Sequence, residues 1–334
     1  MFASTAKTNG PDRSQDLSDN SFIRVSDDSV RGPNRCKTCQ SACLHTIKAV
    51  IAFVLSGGAS LGAIQAGQLR ALYERGIAPD LIVGTSAGAV NGAYIASRPP
   101  TVDTAESLAG IWRSLTTFRV FPPGPATALM ALLGRRDHLV TDAGLKSVID
   151  SHLQFRRLED ARIPLHVIST DIRTGTERRL SHGDALPAVL ASAAIPGVYP
   201  AVRFDGADLV DGGLANNTPI SDAADLGATS IYVLPTGITC ELPRPPKGAV
   251  AMLIHAITLL VNQRLASDTR HFSAAAEVVV LPPPCPLAVL PSDFGQADWL
   301  IEQGYELAST ALDHADPAGY WTPRSLERLE PHAH

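Results

Sequence analysis

The sequence predicts an α/β fold with three layers, α/β/α, around a central, mostly parallel sheet. From residue 47 onward, short apolar runs alternate with stretches of helical period, and such alternation implies strands covered by helices on both faces. The composition agrees. Apolar residues make up 45% of the chain and aromatics only 5%, and small, alanine-rich helices pack closely on a sheet.

The elements follow in order. Residues 50–55 form a short buried strand. The turn Gly57-Gly58-Ala59-Ser60-Leu61-Gly62 opens a helix on which Leu61, Ile64, Leu69 and Leu72 recur at helical spacing, with Gly76 as its C′ residue. A strand at 81–83 leads through Gly84-Thr85-Ser86-Ala87-Gly88 into a helix over 87–96, closed by Pro99-Pro100. Residues 105–115 read as a helix with Trp112 on its apolar side. Thr141 or Asp142 caps a helix that runs to His152. A strand at 164–170, a helix at 186–194 and a short strand at 208–210 lead into Asp211-Gly212-Gly213. A strand at 230–234, a long helix at 250–266, a strand at 277–281 and a helix at 297–312 complete the pattern. No internal repeat is present.

Two stretches stand apart from this framework. Residues 118–138 hold Phe118, Phe121, Leu129, Met130, Leu132 and Leu133, then Arg135-Arg136. They read either as a flap that receives an acyl chain or touches a bilayer, or as a helix buried on the core. Residues 1–46, rich in Ser, Asp, Asn and Arg, read as a disordered or loosely attached extension. The expected organisation is thus an extension (1–46), one domain (47–315) and a C-terminal tail (316–334).

A net charge of −5 supplies no basic face, so nucleic-acid binding is not expected. The first twenty residues lack the apolar core of a signal peptide. The apolar stretch at 248–261 is too short to span a bilayer, is interrupted by His255, and reads as a buried helix. A cytoplasmic location with peripheral membrane contact is the expectation. Five cysteines without an export signal argue against a disulfide framework. Cys36, Cys39, Cys43 and His45 carry donor types suited to zinc but lack its usual paired spacing; they read as thiols in a flexible arm, and no metal or cofactor is expected.

The chemistry-bearing residues sit in the glycine turns. In a strand–turn–helix unit, flanking glycines turn the backbone sharply and leave the apical hydroxyl of Ser86 exposed. A serine needs a base. The histidines stand in poor contexts: His166 inside a strand as a hydrogen-bonded core residue, His182 in a polar turn, His255 and His271 in or beside a helix, His314, His332 and His334 in the tail. Asp211, at a strand end before two glycines, would share the sheet edge of Ser86 if the strands were parallel.

These motifs, in this order and spacing, resemble those of patatin-like phospholipases. The likeness rests on the Gly57–Gly62 turn, the Gly84–Gly88 elbow, the stretch Ala191-Ser192-Ala193-Ala194-Ile195-Pro196-Gly197-Val198-Tyr199-Pro200, and Asp211-Gly212-Gly213. It runs from about Val50 to Leu312. The resemblance implies a patatin-like fold and a lipid acyl hydrolase of phospholipase A, lysophospholipase or esterase type. It implies a Ser86–Asp211 dyad, with N–H groups near Gly57, Gly58 and Ala59 as the oxyanion hole, and with Gly62, Gly84, Gly88, Gly212 and Gly213 as motif support. The family's commonest turn is Gly-Gly-Gly-x-Arg/Lys-Gly. Here Ala59 replaces the third glycine and Leu61 the cation, so an oxyanion hole requires that position 59 need no positive φ.

Other readings stay open. A Ser-His-Asp α/β-hydrolase esterase shares the elbow. A nucleotide-binding turn at Gly57–Gly62 lacks both the G-x-G-x-x-G pattern and a P-loop lysine. A non-catalytic relative would bind lipid or a partner protein.

Overall fold

The computed structural model of the chain describes residues 49–238, 245–285, 287 and 289–320. The strands are β1 (Ile51–Leu55), β2 (Leu81–Thr85), β3 (Leu165–Asp171), β4 (Glu177–Leu180), β5 (Val202–Phe204), β6 (Ala207–Asp211), β7 (Ser230–Leu234) and β8 (Glu277–Val280). The helices are α1 (Ala63–Glu74), α2 (Ala87–Ala96), α3 (Val102–Ser114), α4 (Thr117–Val120), α5 (Pro125–Leu132), α6 (Ala143–His152), α7 (Ala185–Ser192), α8 (Gly213–Asn216), α9 (Ile220–Asp225), α10 (Ala249–Phe272), α11 (Ala297–Leu312) and α12 (Pro317–Tyr320).

The strands form one mixed sheet in the order β5-β6-β3-β2-β1-β7-β8, with β4 paired to β3 as well. Strands β3, β2, β1, β7 and β8 are parallel to one another. Strands β4 and β6 run antiparallel to β3, and β5 antiparallel to β6.

Side chains of a strand alternate between faces, and β1 shows what each face meets. Phe53 and Leu55 enter the larger apolar core with α1, α2, α3, α6, α7 and α11. Ala52 and Val54 enter a second core with Ile220 and Ala223 of α9 and Leu265 and Ala266 of α10. The fold is therefore the expected three-layer α/β/α arrangement. On the first face α1 and α11 approach at backbone distance: a Cβ on Gly67 would lie 1.9 Å from the Ile301 carbonyl oxygen, and one on Gly304 2.3 Å from that of Ile64.

The six strands that the sequence predicts fall on β1, β2, β3, β6, β7 and β8; β4 and β5 are additional to them. Four further expectations change. The N-terminal half of α10 is not buried: Met252, Leu253, Ile257 and Leu260 are 46, 62, 52 and 72% exposed. Residues 118–138 are not a helix on the core either. Val120 and Phe121 pack inward, whereas Leu129 and Leu133 on and after α5 are exposed. His166 is half-buried in β3 but its Nδ1 has no hydrogen-bond partner among the described residues; burial and then the nearby Arg179 hold its pKa below the usual histidine value. Finally, Cys285 forms a disulfide; Cys36, Cys39, Cys43 and Cys240, together with the proposed zinc donors and the 1–46 extension, lie outside the described residues.

Candidate active site

Ser86 stands between β2 and α2 with φ 54° and ψ −122°. A non-glycine residue in that region carries about 1–3 kcal/mol of strain, tolerated only where surrounding contacts fix it. They do so here. The Ser86 N–H donates to Ser192 Oγ at 2.8 Å, and Ser192 Oγ donates to the Ile168 carbonyl. One hydroxyl thus ties the elbow to β3 from the end of α7. The glycines of the elbow are close-approach positions: a Cβ on Gly88 would lie 2.1 Å from the Leu55 carbonyl oxygen, and one on Gly84 2.6 Å from that of Gly88.

Asp211 meets Ser86. The Ser86 hydroxyl donates to Asp211 Oδ2 at 2.6 Å, and the Gly213 N–H donates to Oδ1 at 2.8 Å. The route differs from the parallel arrangement expected. Strand β6 is antiparallel to β3, and β3 outruns β2: Thr85 pairs with Ile168, while Asp211 pairs with Ser169. The overhang of β3 gives β6 a partner, and β6 ends level with the elbow from the opposite direction. Gly212 sits where a Cβ would lie 2.3 Å from the Ile168 carbonyl oxygen. Thr170 Oγ1 donates to the Asp211 carbonyl at 2.9 Å, holding the strand end in place. Burial pushes the Asp211 carboxyl up to about 6; the bonds from Ser86 and Gly213 oppose that rise.

The first glycine turn lies beside this pair. A Cβ on Gly57 would fall 3.0 Å from Ser86 Cβ and 2.5 Å from Asn217 Oδ1, so only glycine fits. Its N–H does not face the site, because it donates to the Asn217 carbonyl at 3.2 Å. This removes Gly57 from the expected set of oxyanion donors. The N–H groups of Gly58 and Ala59 have no partner among the described residues. Ala59 takes φ 50°, the left-handed conformation the sequence reading had required it to avoid. It keeps its N–H there, and the cost to an L-residue is about 1–2 kcal/mol. Gly62 packs against the Trp112 ring, which a Cβ would approach to 2.8 Å.

A buried polar network that sequence reasoning missed joins the two turns. Asn91 Nδ2 donates to the Gly62 carbonyl at 2.9 Å and to Gln65 Oε1 at 2.8 Å. Trp112 Nε1 donates to Asn91 Oδ1 at 2.9 Å. Gln65 Nε2 donates to the Ser56 and Leu234 carbonyls. The available signal was a fully buried type of polarity where none was needed: an asparagine inside an otherwise apolar, alanine-rich helix.

Ser86 opens into an apolar cavity. Its walls come from α2 (Val90, Tyr94), α3 (Leu108, Ile111, Trp112), α6 (Leu145, Val148, Ile149) and the inward-facing Phe121, Tyr199 and Phe294. Phe121 stacks on Tyr199 with ring centroids 5.5 Å apart, and the Tyr199 hydroxyl donates to the Val120 carbonyl at 2.7 Å. His152 also lines this cavity, but its Nδ1 is engaged by the Val148 carbonyl at 2.8 Å. Among the described residues no histidine bonds to Ser86 or Asp211, and no group of side chains is arranged to hold a metal ion.

The fold and site define a three-layer α/β protein with a strained strand–turn–helix serine bonded to a buried aspartate at an apolar cavity. A family model described as patatin-like phospholipase matches residues 53–224, more than half of the chain, and the chain belongs to that family. It is 31% identical over 196 residues to patatin-like phospholipase domain-containing protein 7 of Mus musculus, covering 56% of this chain and 14% of that protein. It is 30% identical over 190 residues to lysophospholipase NTE1 of Mycosarcoma maydis, covering 56% of this chain and 10% of that one. The chain therefore spans a small fraction of the length of these relatives. Among solved structures it is similar to VipD from Legionella pneumophila (13% identity, TM-score 0.43, 79% of this chain and 67% of that chain). It is also similar to human GIVD cytosolic phospholipase A2 in complex with methyl gamma-linolenyl fluorophosphonate (12% identity, TM-score 0.42, 84% and 59%).

Proposed function

We propose that this chain is a lipid acyl hydrolase that cleaves carboxylic esters through an acyl-enzyme on Ser86. The observation that carries the reading is the 2.6 Å hydrogen bond from the Ser86 hydroxyl to Asp211 Oδ2 at the mouth of an apolar cavity. Asp211 takes the serine proton as Ser86 Oγ attacks the ester carbonyl, and returns it to the departing alcohol. A water molecule then gives a proton to Asp211 and its hydroxyl to the acyl carbon; the bond from that carbon to Ser86 Oγ breaks, Asp211 passes the proton to Oγ, and the carboxylic acid leaves. The carbonyl oxygen, negative in each tetrahedral intermediate, is received by the N–H groups of Gly58 and Ala59 and by the positive ends of α1 and α2. The acyl chain occupies the cavity, whose walls hold it by apolar contact.

A Ser-His-Asp mechanism finds no support in the hydrogen bonds of Ser86, whose hydroxyl goes to the carboxylate. The reading places the hydrolase in residues 47–315, with 1–46 an extension and 316–334 a tail that soluble-ester hydrolysis does not need. The test is labelling by a fluorophosphonate alongside hydrolysis of a short-chain p-nitrophenyl ester, for the whole chain, Ser86→Ala, Asp211→Asn and a form beginning at Ile47. Labelling lost in Ser86→Ala and sharply reduced in Asp211→Asn, with parallel loss of hydrolysis, supports the dyad. A folded wild type that neither labels nor hydrolyses rejects it.

A further inference from the structure

The exposed apolar half of α10 is unlike any ordinary solvated helix. Residues 248–263 contain no Asp, Glu, Lys or Arg, so the helix lacks the charged outer face that a water-facing surface carries. Leu253, Ile257 and Leu260 fall at i, i+4 and i+7, and are 62, 52 and 72% exposed. They therefore line one stripe. The second half of the same helix is conventional, with Leu265 and Ala266 buried in the core.

Position gives the stripe a meaning. Ile254 and Ile257 share a groove with Gly57, Gly58 and Asn217. Leu260 and Val261 share another with Gly213, Leu214 and Asn217, just after Asp211. Leu214 and Leu290 are themselves 61 and 60% exposed, and Leu290 is fixed to the first glycine turn because Ser60 Oγ donates to its carbonyl. Apolar side chains thus surround both turns that flank Ser86. Lys247, exposed and without an ion pair among the described residues, stands at the N-terminal end of α10.

We propose that the first half of α10, with Leu214 and Leu290, is the surface by which this chain docks on a phospholipid bilayer. This rests on the acyl-hydrolase reading, and it commits to a lipid surface because the patch borders Gly57, Gly58 and Gly213 in the turns that flank Ser86. A second copy seated there would cover those turns, whereas a bilayer would hold its ester substrate beside them. The charge-free stripe fits the acyl–headgroup boundary, and Lys247 has the reach to stay at phosphate level. Attachment of this kind comes from buried apolar area, so it persists at high salt, unlike docking through a basic patch.

The experiment is flotation of the whole chain with vesicles of phosphatidylcholine at low and high salt. The variants are Met252→Asp/Leu253→Asp, at exposed positions that line neither groove, and Leu129→Asp/Leu133→Asp on and after α5 as the comparison. Sedimentation velocity and short-chain ester hydrolysis accompany each protein. The expected result is flotation of wild type and of the α5 variant at both salts. The α10 variant should lose at least tenfold in vesicle partitioning while keeping soluble-ester hydrolysis. Three results overturn the proposal: wild type that stays with the unbound fraction while hydrolysing the ester, an α10 variant that floats like wild type, or a dimer that the α10 variant dissolves. Absence of ester hydrolysis with flotation intact rejects the hydrolase reading and leaves the docking surface standing.

Discussion

Asp211 carries a conflict between folding and chemistry, and the sign of that conflict is measurable. Its carboxyl titrates near 3.8 when solvated and is pushed up to about 6 in the fold, chiefly by burial. A raised carboxyl binds more protons folded than unfolded, so its contribution to stability falls as pH rises from 3.8 toward 6, by about 3 kcal/mol in all. In the proposed mechanism, however, Asp211 acts as a base only when ionised. Ester hydrolysis should therefore climb with pH through about 6 and level above it, whereas Asp211→Asn should be inactive. The same variant should gain up to about 3 kcal/mol over wild type at pH 8 and little at pH 4, read from urea unfolding at the two values. Equal gain at both pH values would show that the carboxyl is not held up by burial. Ala59 poses a smaller conflict. Its left-handed backbone costs an alanine about 1–2 kcal/mol, of which a glycine would return part to chain entropy. Ala59→Gly should raise the free energy of unfolding in urea by up to about 1 kcal/mol and preserve fluorophosphonate labelling because the N–H remains.

Strands and helices with one clear period were legible in the sequence; those defined by their partners were not. Strand β1 is an apolar run and α2 an alanine-rich one, and both lie where their patterns put them. Strand β4 is Glu177-Arg178-Arg179-Leu180, polar because it lies off the main path of the sheet, where Arg179 pairs with Asp222 at 3.2 Å. Strand β5 spans three residues and exists because β6 offers it an edge. Helix α10 misled for the converse reason: apolar residues at helical spacing signal an apolar environment, and nothing in the period says whether that environment is the core. The turns that bear Ser86 and Asp211 were readable because glycines mark them. The side chains that hold those turns were not, since a buried Asn91 or Ser192 acts through contacts distant in sequence. Asn91→Ala would strand Gln65 Oε1 and Trp112 Nε1 in the core, at about 1–3 kcal/mol for each unpaired group. It should lower stability by about 2 kcal/mol or more in urea unfolding. An effect under about 1 kcal/mol would mean that water replaces the amide.

The layers of the molecule converge on one edge of the sheet. Parallel strands β1 and β2 end there, so the turns that follow them, with Gly58, Ala59 and Ser86, lie side by side, and the helices that those turns open point their positive ends inward. Antiparallel β6 arrives from the other direction and delivers Asp211 to the same level. The cavity extends from this edge between α2, α3 and α6, over the larger of the two cores, while α10 borders the turns on the side of Gly57 and Asn217. On the proposed reading, such an arrangement separates the acyl chain from the docking surface, and it predicts a chain-length dependence set by the cavity. Each methylene buried contributes about 0.8 kcal/mol, or about fourfold in kcat/KM, until the walls are reached. Leu145, half-buried in the cavity wall, is a place to shorten it. In a series of p-nitrophenyl esters, Leu145→Trp should match wild type on acetate and fall progressively behind as the chain lengthens. Parallel curves for the two proteins would mean that the acyl group lies elsewhere, and would direct attention to the groove beneath α10.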